Sequence, residues 1–384
     1  MPPDSIYRSA WSNPEIETFR AGVRRFVTAE LLPHEEAWKT QQHVDPAAWR
    51  KAGELGLLLT DLGEEWGGGG GTFAHEAVVA EELVYAGISS FGNAVHSIVA
   101  HYLHNHATDE QRRRWLPRMA SGELIAAIAM SEPGAGSDLQ GITTRAERHG
   151  DHYVLNGSKT FISNGYNANL VCVVAKTEPA KGARGTSLLM VETAGLPGYR
   201  VGRILEKLGQ KGQDTCELFF EDCRVPASAL LGPAEGLGFA QLMQELPYER
   251  TLIAVQAVAA IERAVGLTVD YTKQRKVFGK PLFDLQNTRF TLAEARTMAH
   301  VARVFLDSCI ERLIRGELDT VTASMAKWWT TDLQCQVIDE CVQLHGGYGY
   351  MLEYPITQMY ADARVQRIYG GANEIMKEII ARSL

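Results

Sequence analysis

The sequence predicts an α+β fold in which helices and strands occupy separate regions. Three observations carry this. Residues 1–124 read as helices, residues 125–237 read as short strands between turn signals, and residues 238–384 return to helical periodicity. This helix–strand–helix order contrasts with the strict alternation of a parallel βαβ sheet.

In the first region, Ser12-Asn13-Pro14-Glu15 is a helix-start signal ahead of Ile16, Phe19 and Val23. The run Gly67 to Gly71 is a loop. No Lys-Ser/Thr pair follows it, so it reads as a surface turn and not a phosphate cradle. Thr108-Asp109-Glu110 opens another helix. In the middle region, Leu170 to Ala175, Ser187 to Val191 and Glu217 to Phe220 are apolar runs of strand length. Asn156-Gly157 and Asn164-Gly165 are hairpin-type dipeptides on either side of a short strand, Ser158 to Ser163. In the last region, Leu292, Ala295, Ala299, Ala302, Leu306, Cys309 and Leu313 recur at steps of three and four, the stripe of a helix packed in a bundle. A second helical pattern runs from Arg250 to about Arg275, which Pro247 either starts or kinks.

The 384 residues suffice for two or three domains with a large core, and a hydrophobic fraction of 45% is ordinary for a globular protein. A formal net charge of -8 argues against nucleic acid or an anionic membrane as the main partner. No apolar run reads as a membrane span. The first twenty residues lack the apolar core of a signal peptide and carry acidic residues that a transit peptide avoids. The six cysteines show no CxxC or Cys/His metal spacing, so no metal is expected and a reduced, cytoplasmic setting is the simplest reading.

The densest motif is Ala129-Met130-Ser131-Glu132-Pro133-Gly134-Ala135-Gly136-Ser137-Asp138. Its glycines let backbone amides approach an anion, and Ser131 and Ser137 add hydroxyl donors. Phe161-Ile162-Ser163 lies between the two Asn-Gly pairs, and Arg275, Lys276 and Lys280 form a basic cluster within YTKQRKVFGKPL. Near the C-terminus stand QLHGGYGY (Gln343 to Tyr350) and IYGGANEIM (Ile368 to Met376). Taken singly, each has a bland alternative: a turn, a core aromatic, a solvated basic face.

Together these strings, with MQELPYER around Glu249, resemble the acyl-CoA dehydrogenase family over nearly the whole chain, and most closely its long-chain branch. The resemblance implies an N-terminal helical domain, a β-barrel-like middle domain and a C-terminal four-helix bundle. It implies FAD as cofactor, held between the subunits of a homotetramer. Ile128, Met130, Ser131, Gly136 and Ser137 would lie along the flavin, with Ser137 also near the acyl-CoA. Phe161 would cover the flavin ring and Ser163 would donate towards N5. Arg275, Phe278, Gln286, Gln343, Gly346 and Gly347 would serve the neighbour's FAD, and Ala372, Asn373 and Glu374 complete the cofactor contacts. Val277 and Ala372 stand where relatives often carry a hydroxyl residue. His345 is read as structural or interfacial.

The implied reaction is α,β-dehydrogenation of an acyl-CoA to a trans-2-enoyl-CoA, with electrons leaving to an electron-transferring flavoprotein. Most of the family carries the base at the position of Gly370, where this chain has no side chain. The minority geometry places it at Glu249. Gly370 would keep a backbone role, donating its N–H to the thioester carbonyl. Pro247, Tyr248, Arg250 and Gly371 would line the substrate site, and Ser97 to His101 its floor. Arg184 is the expected partner of the CoA phosphates. Arg250 is expected to lower the Glu249 pKa only partly, since neighbours on a helix point about 100° apart.

Overall fold

The computed structural model describes residues 7–384; residues 1–6, the head of the segment read for a targeting signal, lie outside the described residues. The chain opens with α1 (Pro14–Phe26), capped by the Asn13 side chain, which accepts from the Ile16 N–H at 2.9 Å. Then come α2 (Glu35–Gln41), α3 (Pro46–Glu54), α4 (Phe73–Ala86), α5 (Asn93–His106) and α6 (Asp109–Ala120). Thr108 caps α6, and the Gln111 side chain bonds back to the Thr108 N–H, a reciprocal capping box. The Gly67–Gly71 run folds on its own chain, with Gly69 N–H donating to Leu59 and Gly71 N–H to Thr60.

The middle region is a seven-stranded curled sheet of β1 (Ala126–Ala129), β2 (Arg145–His149), β3 (His152–Ser163), β4 (Leu170–Lys176), β5 (Thr186–Glu192), β6 (Tyr199–Ile204) and β7 (Thr215–Pro226). The order is β1-β4-β2-β3-β7-β6, with β5 also on β4. One expectation fails here. Asn156-Gly157 is not a turn: β3 runs straight through it, and the pairing with β7 merely slips between Leu155 and Gly157. Gly157 sits at φ 152, and a Cβ there would meet the Thr144 side chain at 2.4 Å, so the glycine serves close strand approach within a bulge. Asn164-Gly165 is a turn, with Asn164 in the left-handed region at φ 61. Strand β4 is buried along its whole length. Leu170, Cys172 and Val174 join the helical core, while Val171, Val173 and Ala175 fill the interior of the curl. The two-residue side-chain period thus ties the sheet to the helices that carry the site.

The third region holds α7 (Gly238–Gln274), the short hairpin β8 (Lys276–Val277) and β9 (Lys280–Pro281), then α8 (Gln286–Ile314), α9 (Thr320–His345), α10 (Pro355–Ala363) and α11 (Asn373–Ala381). The 37-residue α7 starts at Gly238, so Pro247 lies inside it and neither begins it nor stops it. Its length and composition would let it cross a membrane, contrary to the expectation that no run is long enough. Yet 61% of its most apolar window is buried, because α7 packs against α4, α5, α8 and α9 as the central helix of the core. The predicted stripe on α8 is buried from Leu292 to Cys309. All six cysteines are unpaired thiols, five of them buried.

Candidate active site

Glu249 projects from the middle of α7, and only 6% of it is exposed. The Tyr102 hydroxyl on α5 donates to its Oε1 at 2.8 Å, and Tyr102 is fully buried. Burial raises the Glu249 pKa to about 7, with help from Glu245 one turn away. The Tyr102 hydrogen bond, and after it Arg250, pull the other way. Arg250 therefore acts in the expected direction, but a tyrosine from another helix does more. The Arg250 side chain turns from the carboxylate towards α9, where it donates to Ser324 Oγ at 2.8 Å, and burial lowers its own pKa to about 10. Glu245 accepts from Asn105 at 2.9 Å and lies 2.8 Å from His106 Nε2.

The expected floor, Ser97 to His101, is a knot of hydrogen bonds. Ser97, Thr60 and Asn93 donate to the buried Glu76 carboxylate at 2.7, 2.9 and 2.9 Å. Burial and the nearby Asp61 raise Glu76 to about 7. His101 lies 3.1 Å from Asp61 and stacks on Tyr248 at 3.8 Å between ring centroids. Tyr248 is therefore a buried wall beside the candidate base.

Gly370 and Gly371 form a turn between Arg367 and α11, with φ values of 62 and 88 that favour glycine. A Cβ on Gly370 would lie 2.3 Å from Ile253 Cδ1, and Ile253 is one turn beyond Glu249 on α7. The structure thus brings the two candidate base positions against the same helix. Lys327, buried in α9 and missed by sequence reasoning, donates to the Gly371 carbonyl at 2.7 Å and to Asn373 Oδ1 at 2.8 Å. Burial lowers its pKa to about 7, and Arg250 adds to that. The Asn373 amide donates to Thr331 and Asp332, so this side chain locks α11 to α9 and leaves only its backbone for a ligand. Ala372 is half-buried just before α11, and Glu374 is exposed on its first turn.

The first expected flavin face is assembled at the ends of β1 and β3. Ile128, Met130 and Ser131 are half-buried, and Gly136 and Ser137 are exposed. Glu132 clamps this loop: it accepts from Thr143 N–H at 2.7 Å, Thr144 N–H at 3.0 Å and Lys159 at 2.9 Å. Lys159 also donates to the Met130 carbonyl at 3.0 Å. Phe161 is 70% exposed at φ 59, at a slip in the β3–β7 register, and Ser163 ends the strand. A core aromatic would be covered. This one is aimed outward by the bulge, a geometry that suits stacking on a planar ring.

Arg275, Gln343, Gly346 and Gly347 line a separate cavity of about 510 Å³, with Tyr271, His345 and Tyr348. The Arg275 guanidinium lies 5.5 Å over the Tyr348 ring, its fork free to meet an anion. Phe278 is 95% exposed at the hairpin tip, and Gln286 is exposed at the start of α8. None of the residues around Glu249 lines this cavity, as expected if it receives a cofactor held mainly by another subunit. His345 Nδ1 donates to the Cys341 carbonyl, 2.8 Å away, and the ring stacks on Tyr271, contacts that fit a structural role. Arg184 is exposed in the 3₁₀ segment Pro179–Gly185, apart from the buried groups.

Family models match residues 13–123, 127–223 and 236–384, as the N-terminal, middle and C-terminal domains of acyl-CoA dehydrogenases. The chain belongs to the acyl-CoA dehydrogenase family. It is 50% identical over 373 residues to the mitochondrial long-chain specific acyl-CoA dehydrogenase of Mus musculus, covering 96% of this chain and 86% of that one. An acyl-CoA dehydrogenase from Geobacillus kaustophilus superposes with a TM-score of 0.95 at 45% identity, over 98% of this chain and 99% of that one. A glutaryl-CoA dehydrogenase from Mycobacterium smegmatis in complex with FADH2 superposes at 0.90, with 27% identity over 97% and 95% of the two chains. The acyl-CoA dehydrogenases are flavoprotein oxidoreductases, and the outward Phe161, the clamped loop at Glu132 and the cavity under Arg275 are features that fit a flavin dinucleotide.

Proposed function

We propose that this acyl-CoA dehydrogenase takes a medium-chain, long-chain or branched acyl-CoA to its trans-2-enoyl-CoA with FAD, as a cytoplasmic homotetramer that passes electrons to an electron-transferring flavoprotein. The observation that carries the reading is the buried Glu249 carboxylate on α7, one turn from the residue that touches the Gly370 turn.

The residues that would hold FAD are Ile128, Met130, Ser131, Gly136, Ser137, Phe161 and Ser163 in one subunit, with Arg275, Phe278, Gln286, Gln343, Gly346 and Gly347 from its neighbour. When bound, FAD supplies the two-electron acceptor for the β-hydrogen. Everything else is work for the protein. The α-hydrogen of a thioester is weakly acidic, so the base must be close to neutral in pKa and shielded from water. Glu249 meets both demands, at about 7 and almost wholly buried. As the proton leaves, negative charge gathers on the thioester oxygen. The Gly370 N–H would donate to it, on a turn whose Gly371 carbonyl is anchored by Lys327. Tyr248 and Arg250 shape the wall on the Glu249 side, and the exposed Arg184 offers a fork for the CoA phosphates.

The test is Glu249→Gln. The amide is nearly isosteric, so flavin and acyl-CoA binding are retained. Flavin reduction by acyl-CoA falls by at least about 10²-fold, the usual worth of a placed general base. Reduction at the parent's rate would show that the base lies elsewhere. A panel from butyryl- to palmitoyl- and isovaleryl-CoA fixes the chain-length preference.

A further inference from the structure

The base is held by a partner from a different helix, and that partner has a job. We propose that Tyr102 is the positioning residue for Glu249, fixing its carboxylate across the α5–α7 interface and keeping it ionised and ready to take a proton. This rests on reading Glu249 as the base.

The geometry is direct. The hydroxyl-to-Oε1 distance is 2.8 Å, both residues are buried, and the two are 147 positions apart in sequence, so the contact is a product of the fold. A phenol beside a carboxylate donates more strongly to the ionised than to the protonated form. In a site without water, that donor replaces the lost hydration of the anion. Other groups facing the carboxylate supply no such donor. Glu245, on the same helix, repels it, and Asn105 and His106 keep Glu245 in place. Cys172, from β4, is a thiol whose own pKa is raised by burial and by Glu249. Arg250 is turned to Ser324, and Lys327 behind it is bound to the Gly371 turn. Among the described residues, Tyr102 is thus the one side-chain hydrogen-bond partner of the Glu249 carboxylate.

The phenol is itself buried, and the carboxylate pushes its pKa well above the ordinary value. It stays protonated over the working range and acts as a fixed donor, not a second acid. Because it is neutral, it tunes the base without adding a net charge that would compete with the incoming thioester. With the hydroxyl in place, the carboxylate is held in one rotamer. Substrate entry then needs no search by the base, only displacement of whatever fills the space beside it.

The experiment uses the FAD-loaded protein and two substitutions of opposite sign. Tyr102→Phe removes the donor. Incorporating 3,5-difluorotyrosine at position 102 makes the phenol a stronger donor with almost the same shape. Two readouts are taken across pH. One is the rate of flavin reduction by whichever of butyryl-, octanoyl-, palmitoyl- or isovaleryl-CoA reduces the parent fastest. The other is the carboxyl band of Glu249 in difference infrared spectra, assigned by its loss in Glu249→Gln, which reports titration whether or not Glu249 is the base. In Tyr102→Phe both the acid limb of the rate profile and the carboxyl titration move up by about one to two pH units, the loss of one hydrogen bond to a charged group. The fluorinated residue moves both down. Flavin content and thermal midpoint stay near the parent's. A carboxyl titration that neither variant moves overturns the proposal. A shifted titration with an unshifted rate profile overturns it too, and points to a different base. If Tyr102→Phe fails to fold, the fluorinated variant alone decides.

Discussion

Replacing Glu249 by Gln should shift stability relative to the parent by an amount that depends on pH, increasingly in the variant's favour as pH rises. In the native state the Glu249 carboxyl is raised from its ordinary 4.5 to about 7, chiefly by burial. A raised acid pKa means that the folded state prefers the protonated form. Its contribution to stability is therefore complete below pH 4.5 and is lost as pH rises through 7. At about 1.36 kcal/mol per pH unit, ionising the buried group costs on the order of 3 kcal/mol at pH 8 and under about 1 kcal/mol at pH 5. A glutamine at this position never ionises. It does bury an amide N–H₂ without a clear acceptor, at about 1–3 kcal/mol, but that cost is the same at both pH values. The quantity to read is the difference between them. Urea unfolding followed by far-ultraviolet circular dichroism at pH 5 and pH 8, at one protomer concentration and saturating FAD, measures it. The stability margin of Glu249→Gln over the parent should grow by about 2–3 kcal/mol from pH 5 to pH 8. A margin equal at both would show that Glu249 is not held in a water-poor site, and the argument for its raised pKa would go with it.

Three further outcomes are expected. Adding Gly370→Glu to Glu249→Gln should restore part of the flavin reduction only when Ile253→Ala is also made, because a Cβ at Gly370 lies 2.3 Å from Ile253 Cδ1; equal recovery without Ile253→Ala would show that the turn relaxes freely. Arg275→Ala should weaken FAD retention by about tenfold or more and shift the assembly towards smaller species in light scattering, since its exposed fork in the 510 Å³ cavity would lose a charge-assisted bond. Lys327→Met should speed hydrogen exchange of peptides spanning residues 368–374 by at least about tenfold while α9 stays protected, because two bonds of 2.7 and 2.8 Å anchor that turn; unchanged exchange would mean the turn holds itself.

Local signals carried much of the fold. The Asn13 and Thr108 caps, the α8 stripe and the apolar runs of β4 and β5 are written in adjacent residues and are found where they were expected. Asn156-Gly157 misled, since the same dipeptide serves a hairpin or a bulge and only the long pairing of β3 with β7 decides between them. The start of α7 was placed too late because Pro247 is a strong boundary signal, and burial of the helix on several sides overrides it. The same helix has an apolar window long enough to cross a membrane, which the polar residues scattered along it hid from a reading of uninterrupted apolar runs. Glu249 and Gly370 stand as candidates only through resemblance, and the structure adds that one is buried on α7 and the other packs against it. Tyr102 was not legible in the sequence, because nothing local in HYLHNH says which residue crosses to α7. Lys327 could have been found: Ala323, Ala326, Lys327 and Thr330 repeat at the spacing of one buried helix face, and a lysine there demands a partner.

The contact between Ile253 and Gly370 also bears on the order in which substitutions can be accepted at this site. A methyl group from α7 occupies the volume that a side chain on the turn would need. Any Cβ introduced at Gly370 meets this obstruction and a φ of 62 as well, whatever chemistry it offers. Shrinking Ile253 first opens a void one turn from Glu249, which costs stability before anything is gained. Each single step is thus unfavourable, and the second relieves only the clash, not the backbone strain of the turn. If Glu249 is the proton acceptor, a chain descended from this one would keep it on α7 long after selection for that placement had ceased, held there by packing instead of by catalysis.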